Sequence, residues 1–128
     1  MAAGLRIREK EGEAKKPTRF YSSKQEKTVA KAVGGRQTAN SGATMFGGKS
    51  DVSIGSLFSL ECKTKTSLSE SISIKKEWLE KLAREAVSDG HPYSALAFNF
   101  GPDQENYYII DEYLFQDLVD YLSTKERS

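Results

Sequence analysis

The chain has 128 residues, of which ten per cent are aromatic and one is cysteine. This composition suits one ordered domain with its own hydrophobic core. No apolar run reaches membrane-spanning length and the N-terminus lacks the apolar core of a signal peptide, so we expect a cytoplasmic protein with no membrane partner. The single cysteine excludes an intramolecular disulfide, in keeping with a reducing compartment.

The net charge of +1 conceals two halves of opposite sign. Residues 1–50 carry eleven Lys/Arg and four Glu, a net +7, whereas residues 51–128 carry eight Lys/Arg and fourteen Asp/Glu, a net −6. A basic front half favours a polyanionic partner. Residues 1–20 are rich in basic residues and lack periodicity, so we expect a disordered basic arm followed by a single domain over residues 21–128.

The first predicted element is a helix from about residue 24 to 33, capped by Ser22 or Ser23. Glu26 lies one turn before the inner residue Val29, so we expect it to border the buried side. Two glycines end the helix. A short strand over residues 36–38 follows, and then a stretch rich in Gly, Ser and Asn that continues to Lys49.

A hairpin of two antiparallel strands is predicted between residues 49 and 64. Pairing Val52 with Leu60 and Ile54 with Phe58 places the apolar side chains on one face. The same register pairs Asp51 with Glu61 and leaves both, with Lys63, on the other face. It needs a loop with an odd number of residues, which we predict as Gly55-Ser56-Leu57.

The paired carboxylates carry the chemical prediction. Directly opposite residues of a hairpin have Cβ atoms roughly 4.5–5.5 Å apart. Carboxylates as close as those of Asp51 and Glu61 repel each other unless a cation or a proton lies between them. The sequence therefore predicts a divalent-metal site. Cys62 falls on the apolar face, which indicates a packing role and not a nucleophile.

The second half of the chain alternates helices and strands. Apolar spacing predicts a helix over residues 74–88, capped by Ser73 and stopped by Asp89-Gly90. Strands are predicted over 93–100, as a buried central strand, and over 106–110. A last helix covers about residues 112–123. The order α-β-β-β-α-β-β-α predicts an α/β fold, a mixed sheet flanked by helices. The inner residues predicted for the two helices are Ile74, Trp78, Leu79, Leu82, Ala83, Ala86 and Val87, and then Leu114, Phe115, Leu118, Val119 and Leu122.

Three further features were weighed. The stretch from Ala43 to Ser50 approaches a phosphate-binding loop, but a strand follows it where such a loop needs a helix, so no nucleotide cofactor is expected. His91 is expected in a surface turn, and one His with one Cys disfavours zinc or a Cys/His nucleophile. Lys75 and Lys76 begin a helix; either a solvated helix end or contact with phosphates explains them.

The aspartate followed by E-C-K across a hairpin resembles the PD-(D/E)XK nuclease superfamily, which has the restriction-endonuclease-like fold. K-Q-E-K in the first helix, G-G-R after it and S-G-A in the loop extend the resemblance to Holliday junction resolvases of the archaeal type and their phage-encoded relatives. The similarity covers about Tyr21 to Asp111. Ser50 stands where the superfamily name has proline. The helix from Ile74 has no glutamine, which leaves Lys75 or Lys76 to substitute and leans away from the exonuclease relatives.

The resemblance implies a Mg²⁺-dependent endonuclease, with Mn²⁺ as a substitute, that cleaves branched or double-stranded DNA as a homodimer in recombination. It would work in the cytoplasm, the host's if the gene is phage-encoded. Two alternatives stay open, a monomeric nicking or repair endonuclease of the same fold and a non-catalytic nuclease-like DNA-binding module. The implied catalytic residues are Glu26, Ser41, Asp51, Glu61 and Lys63; the implied metal ligands are Asp51, Glu61 and the backbone carbonyl of Cys62; the expected DNA contacts are Arg36, Lys49, Lys65, Lys75 and Lys76.

Overall fold

The computed structural model describes residues 16–38 and 50–127. Their elements follow one another as α-β-β-β-α-β-β-α, the predicted order. Within these ranges no helix is both long enough and apolar enough to cross a membrane. The elements are α1 (Thr18–Val33), β1 (Arg36–Gln37), β2 (Val52–Ile54), β3 (Phe58–Lys63), α2 (Lys76–Ser88), β4 (Tyr93–Phe98), β5 (Tyr107–Ile109) and α3 (Glu112–Arg127).

The five strands form one mixed sheet in the order β1-β2-β3-β4-β5. Only the β3–β4 pair is parallel, and α2 makes the connection between these two strands. The other neighbours are antiparallel. A mixed α/β sheet flanked by helices is therefore confirmed, and β4 lies inside the sheet between β3 and β5, as predicted for a central strand.

The register of the β2–β3 hairpin agrees with the prediction from Val52 to Phe58, whereas Asp51, predicted to pair with Glu61, lies outside the ladder and donates its N–H to the carbonyl of Leu60. Val52 pairs with Leu60 and Ile54 with Phe58, which leaves the three-residue loop 55–57. Gly55 takes a positive φ of 53°, and a side chain there would be disfavoured. The odd loop length keeps Val52 and Leu60 on one face of the sheet, where both are buried.

The hydrophobic core lies between α1 and that face of the sheet. Val29 and Ala30 of α1 pack with strand residues from β2, β3 and β4. On the opposite face α2 buries Leu82 and Ala86 against β3 and β4. The core cluster consists of Val29, Ala30, Val52, Leu60, Cys62, Ala95 and Ala97.

Helix α1 begins earlier than predicted. It begins at Thr18, after Pro17 in an extended conformation, and so includes residues 18–20 that were assigned to the disordered arm. Ser22 does not cap it, since its hydroxyl donates to the carbonyl of Arg19 within the helix. Proline is compatible with the N-cap position, because its ring fixes φ at about −65° and no backbone N–H is needed there. The rest of the expected arm, residues 1–15, lies outside the described residues.

Helix α2 begins at Lys76, two residues later than predicted, with Lys75 and not Ser73 at the N-cap position. It ends at Ser88, before Asp89-Gly90 as predicted. Its inner stripe is narrower than expected: Leu82 and Ala86 are buried, whereas Ala83 and Val87 are exposed. The sheet covers only a narrow face of the helix, so residues at the margins of its apolar stripe remain exposed to solvent.

Helix α3 differs most from its prediction. It extends to Arg127, one turn beyond the predicted end, and Leu114 is its one buried residue among those described. The other four residues predicted to be buried lie exposed. The period of apolar residues was read correctly as a helix, but it does not reveal whether this chain supplies the surface that covers it. Those exposed residues are Phe115, Leu118, Val119 and Leu122.

Candidate metal centre

Asp51 lies immediately before β2 and is held by three hydrogen bonds. Its N–H donates to the carbonyl of Leu60 and its carbonyl accepts from the N–H of Thr38, both at 2.9 Å. Its side-chain Oδ2 accepts from the N–H of Cys62 at 2.9 Å. The backbone of Asp51 therefore connects β3 with the segment that follows β1. The carboxylate is fixed across the hairpin, beside the residue that follows Glu61.

Glu61 lies half-buried in β3, on the face that α2 covers. Burial is the main reason that its pKa is raised to about 7, and the negative charge of Asp51 is the next. The ammonium group of Lys63 acts in the opposite direction. The charge of Asp51 therefore acts on Glu61 in the same direction as burial.

Glu26 lies on α1 and is buried, more deeply than the bordering position predicted for it. Its Oε1 accepts a hydrogen bond from Gln37 at 3.4 Å and its Oε2 contacts Arg19 at 3.5 Å. Burial raises the pKa of Glu26, and the charge of Asp51 raises it further. Asp51 is thus electrostatically coupled to one carboxylate on α1 and to another on β3.

A fourth carboxylate, Glu85 of α2, was not among the predicted site residues. Its side chain is 11% exposed and contacts Lys81 one turn earlier at 3.5 Å. Burial raises the pKa of Glu85, and the charge of Asp51 contributes in the same direction. A signal was present in the sequence, because Glu85 lies three residues after Leu82 and next to Ala86, at the border of the apolar stripe.

Lys63 shares the face of Glu61 and is held by an aromatic ring. Its Nζ lies 4.4 Å from the centroid of the Trp78 ring on α2. A cation over an indole face is attracted by the ring's electron density. Trp78 was predicted only as an inner residue of its helix, and its contact with Lys63 could not be predicted because it requires the position of α2 over the sheet.

A polar cleft of about 520 Å³ lies beside Asp51, and Ser50 lines it with Arg36, Ser53 and His91. Ser50 is fully buried, and among the described residues its hydroxyl has no hydrogen-bond partner. The resemblance to the nuclease motif has proline at this place, which would supply no hydroxyl. The cleft combines the exposed guanidinium of Arg36 and several hydroxyl groups with the carboxylate of Asp89.

The remaining predicted residues are spread around this region. Lys65 is half-buried, one residue after Thr64, and Lys75 and Lys76 are exposed where α2 begins. Lys76 contacts Glu80 at 3.8 Å on the surface. Ser41 and Lys49 lie outside the described residues, as does most of the stretch resembling a phosphate-binding loop.

Cys62 and His91 are both packed into the fold. Cys62 belongs to the core cluster, and burial raises the pKa of its thiol, which disfavours the reactive thiolate. His91, expected in a surface turn, is half-buried, and its Nδ1 lies 2.9 Å from the hydroxyl of the buried Ser59. This contact joins β3 to the segment that follows α2, so it became visible only in the fold.

The donor set fits Mg²⁺ better than a metal that needs a complete protein cage. Within 16–38 and 50–127, no three His, Cys, Asp or Glu side chains are grouped as ligands. Mg²⁺ commonly uses one or two carboxylates and keeps several waters. In an extended strand the N–H and C=O of one residue point to the same side. Since the N–H of Cys62 donates to Asp51, the carbonyl of Cys62 also points toward Asp51.

Comparison with known proteins gives no family assignment. No protein-family model, no curated protein and no solved structure matches the chain. Function is therefore inferred from the geometry of the described residues and from the sequence motifs.

Proposed function

We propose that this protein is a Mg²⁺-dependent DNA endonuclease of the restriction-endonuclease-like fold, with branched DNA, the four-way Holliday junction, as its substrate. One observation carries the proposal. The Asp51 carboxylate accepts a hydrogen bond from the N–H of Cys62, the residue after Glu61, and Lys63 shares the face of Glu61 in β3. Two acidic groups and one amine, in a protein without a suitable His or Cys nucleophile, favour hydrolysis assisted by a metal.

Asp51, Glu61 and the backbone carbonyl of Cys62 would hold the ion, and Mn²⁺ would substitute for Mg²⁺. When bound, the ion lowers the pKa of a coordinated water and offsets negative charge on the phosphoryl oxygens. The raised pKa of Glu61 supports this assignment, because it reflects a carboxylate that is buried beside Asp51 without a full counter-charge. A cation at that position would displace the proton from Glu61.

Lys63 would orient the attacking water or stabilise the charge that develops on the phosphate. The Trp78 ring limits where its ammonium group can lie, since the two are 4.4 Å apart. Such a fixed charge is worth more than a mobile one, because it needs no reorganisation during the reaction. Glu26, on the other side of Asp51, would orient a second water or assist a second ion.

The DNA backbone would approach along the polar cleft beside Asp51. Arg36 is exposed at its rim and would contact a phosphate. The amines of Lys75 and Lys76 at the start of α2 would meet phosphates farther along. Ser41, Lys49 and Lys65 keep their proposed roles at the site or on the backbone. Contacts of this kind position a duplex without reading its sequence, which suits an enzyme that selects DNA by shape.

A four-way junction needs two opposed cuts, so this substrate implies a homodimer with two-fold symmetry. A monomeric nicking or repair endonuclease with the same site is the first alternative. A non-catalytic DNA-binding module is the second. The three carboxylates coupled to Asp51 speak against the second, because buried acidic groups oppose the binding of a polyanion unless a cation accompanies it.

The test is to incubate the full chain with synthetic four-way, nicked and linear DNA in Mg²⁺ or in EDTA. We expect cleavage of the four-way DNA in Mg²⁺ alone. Asp51→Asn keeps an acceptor for the Cys62 amide but removes the charge, so cleavage should fall on the order of 10³-fold. Asp103→Asn is the matched control, because Asp103 contacts only the exposed Lys24 in a surface ion pair.

Each competing proposal has its own outcome. Cleavage that persists in EDTA or in Asp51→Asn would exclude the metal mechanism. Equal cutting of nicked and linear DNA by a monomer would favour the nicking enzyme. Binding of four-way DNA without cleavage in Mg²⁺ or Mn²⁺ would favour the non-catalytic module.

A further inference from the structure

Helix α3 presents an apolar stripe to solvent. Phe115, Leu118, Val119 and Leu122 are 58%, 41%, 44% and 58% exposed. Their spacing of i, i+3, i+4 and i+7 places them on one side of the helix. This spacing is typical of helices that pack against a partner. The side chain by which α3 is anchored, Leu114, is oriented differently and is buried.

The four side chains of the stripe expose on the order of 350 Å². A standard interface takes about 800 Å² from each partner, of which roughly 60% is apolar, or about 480 Å². The stripe therefore supplies most of the apolar area that one side of such an interface needs.

We propose that α3 pairs in antiparallel orientation with α3 of a second copy of this chain. The stripe is symmetric about the point between Leu118 and Val119. An antiparallel partner would therefore set Phe115 of one copy against Leu122 of the other. A two-fold interface requires this kind of self-complementary surface. The self-complementary stripe therefore favours a second copy of this chain as its partner.

The charges at the two ends of α3 favour the same orientation. Asp111 and Glu112 make the N-terminal end acidic, and Lys125 and Arg127 outweigh Glu126 at the C-terminal end. Antiparallel pairing brings each acidic end to the basic end of the other copy. The two helix dipoles are then also opposed, whereas parallel pairing would bring like charges together.

The stripe lies apart from the residues of the metal centre, so this inference does not depend on nuclease activity. If both proposals hold, the dimer carries two metal centres, as paired cuts require. Solution mass tests the dimer and cleavage tests the chemistry. Loss of one result with the other intact identifies which proposal has failed.

The experiment measures the molar mass of the full chain by light scattering from about 1 to about 200 µM. We expect a mass twice the 14.2 kDa of one chain. Leu118→Glu with Leu122→Glu should give 14.2 kDa with an unchanged circular dichroism spectrum, because both side chains are exposed. Val87→Glu is the control: Val87 is 78% exposed on α2, away from the stripe, and its variant should stay dimeric.

A charge-swap experiment tests the two-fold arrangement itself. Leu118→Glu and Leu118→Lys should each be monomeric, and an equimolar mixture should recover the dimer mass, since position 118 of each copy lies near the axis. A wild-type chain that remains at 14.2 kDa over the whole range overturns the proposal. A dimer that survives the double Glu substitution also overturns it, because another surface would then hold the two copies together.

Discussion

The carboxylate of Asp51 accepts a hydrogen bond from the backbone amide of Cys62, one residue beyond Glu61. In a longer β2 strand this amide would pair with a backbone carbonyl. Here a side chain takes that place, so the β2–β3 ladder ends in a charged group and not in a further residue pair. The same bond fixes the Asp51 carboxylate, whose charge raises the pKa of Glu61.

Glu61→Gln should stabilise the metal-free protein at alkaline pH. The pKa of Glu61 in the fold is about 7, above its ordinary 4.5, so the native state binds the extra proton between these values. Stability contributed by this group is therefore present at low pH and is lost as the pH rises through about 7. At pH 8 in EDTA we expect a gain of about 1–3 kcal/mol in unfolding free energy by urea titration.

At pH 4 the same substitution should have little effect, since Glu61 is then protonated in both states. Glu80→Gln is the control, because the side chain of Glu80 is 55% exposed. Equal gains for the two variants, or a gain independent of pH, would contradict the assignment of a buried, proton-binding carboxylate at position 61.

Mg²⁺ should stabilise the wild-type protein, and more strongly at pH 8 than at pH 6. Binding to the native state alone adds RT ln(1 + [L]/Kd) to stability, about 2.7 kcal/mol at 100 times Kd. Below pH 7 a proton on Glu61 competes with the ion. Thermal melting with and without Mg²⁺ measures the effect, with Asp51→Asn as the variant that should lose it. A shift that is the same at both pH values would argue against Glu61 as a ligand.

Gln25 should be essential for joining α1 to the sheet. Its buried Nε2 donates to the carbonyl of Lys63 at 2.9 Å and to Oδ1 of Asn106 at 3.0 Å. Gln25→Ala removes both of these buried hydrogen bonds, although Asn99 still donates to Oδ1 of Asn106, so we expect a loss of about 2–3 kcal/mol in urea unfolding. The exposed Lys27→Ala on the same helix should change stability by less than about 0.5 kcal/mol.

Gln25→Glu sharpens this test, because it replaces a donor with an acceptor facing two oxygens. At neutral pH this variant should be less stable than Gln25→Ala. At pH 4 the carboxyl is protonated and can donate a hydrogen bond again. The difference in unfolding free energy between the Glu and Ala variants should then become smaller or change sign. A Glu variant as stable as wild type at pH 7 would show that the amide donor is not required.

Trp78 should report on Lys63 by fluorescence, since it is the protein's single tryptophan. Lys63→Met removes the ammonium group 4.4 Å from the indole centroid, so the emission maximum or intensity should change. Lys65→Met is the control of equal charge change nearby. If both variants alter the emission equally, a general electrostatic effect and not the stacked contact would explain the signal.

Gly35→Ala should weaken the attachment of β1. A Cβ at Gly35 would lie 2.7 Å from the carbonyl oxygen of Ser53 and 3.2 Å from two side-chain carbons of β2. The backbone must shift, and we expect a cost of about 1–3 kcal/mol in thermal unfolding. Gly34→Ala, with open space around it but φ of 70°, should cost about 1 kcal/mol. A smaller effect at Gly35 than at Gly34 would contradict the close approach.

The local features of the chain were readable from sequence. The hairpin register followed from the parity of Val52, Leu60 and Phe58, because a shift of one residue would have exposed all three. The order of helices and strands followed from the spacing of apolar residues, which changes along the chain between helical and strand periods. The sequence did not reveal contacts between residues that are far apart in the chain. Glu85 and Trp78 reach the site only because α2 crosses over the Glu61 face, and no local pattern encodes that crossing.

The predicted helix boundaries were wrong for a different reason. Several serines offered plausible caps, but Ser22 bonds within α1 and Ser73 precedes a segment that stays extended until Lys75. The predicted burial of the apolar residues on α3 was wrong, because an apolar stripe has the same spacing whether it faces its own sheet or another molecule. Sequence thus located the apolar surface but could not name its partner.

Because β3 and β4 are parallel, the residues of the site are brought together by connections of very different length. Asp51 and Glu61 are ten residues apart, so their meeting costs little loop-closure entropy. Trp78 and Glu85 arrive only when the long excursion through α2 closes, a step that non-local topology makes slow. Lesions in α2 should therefore release Lys63 while the acidic pair still forms. The chain would then retain an ion-binding hairpin that has lost its amine.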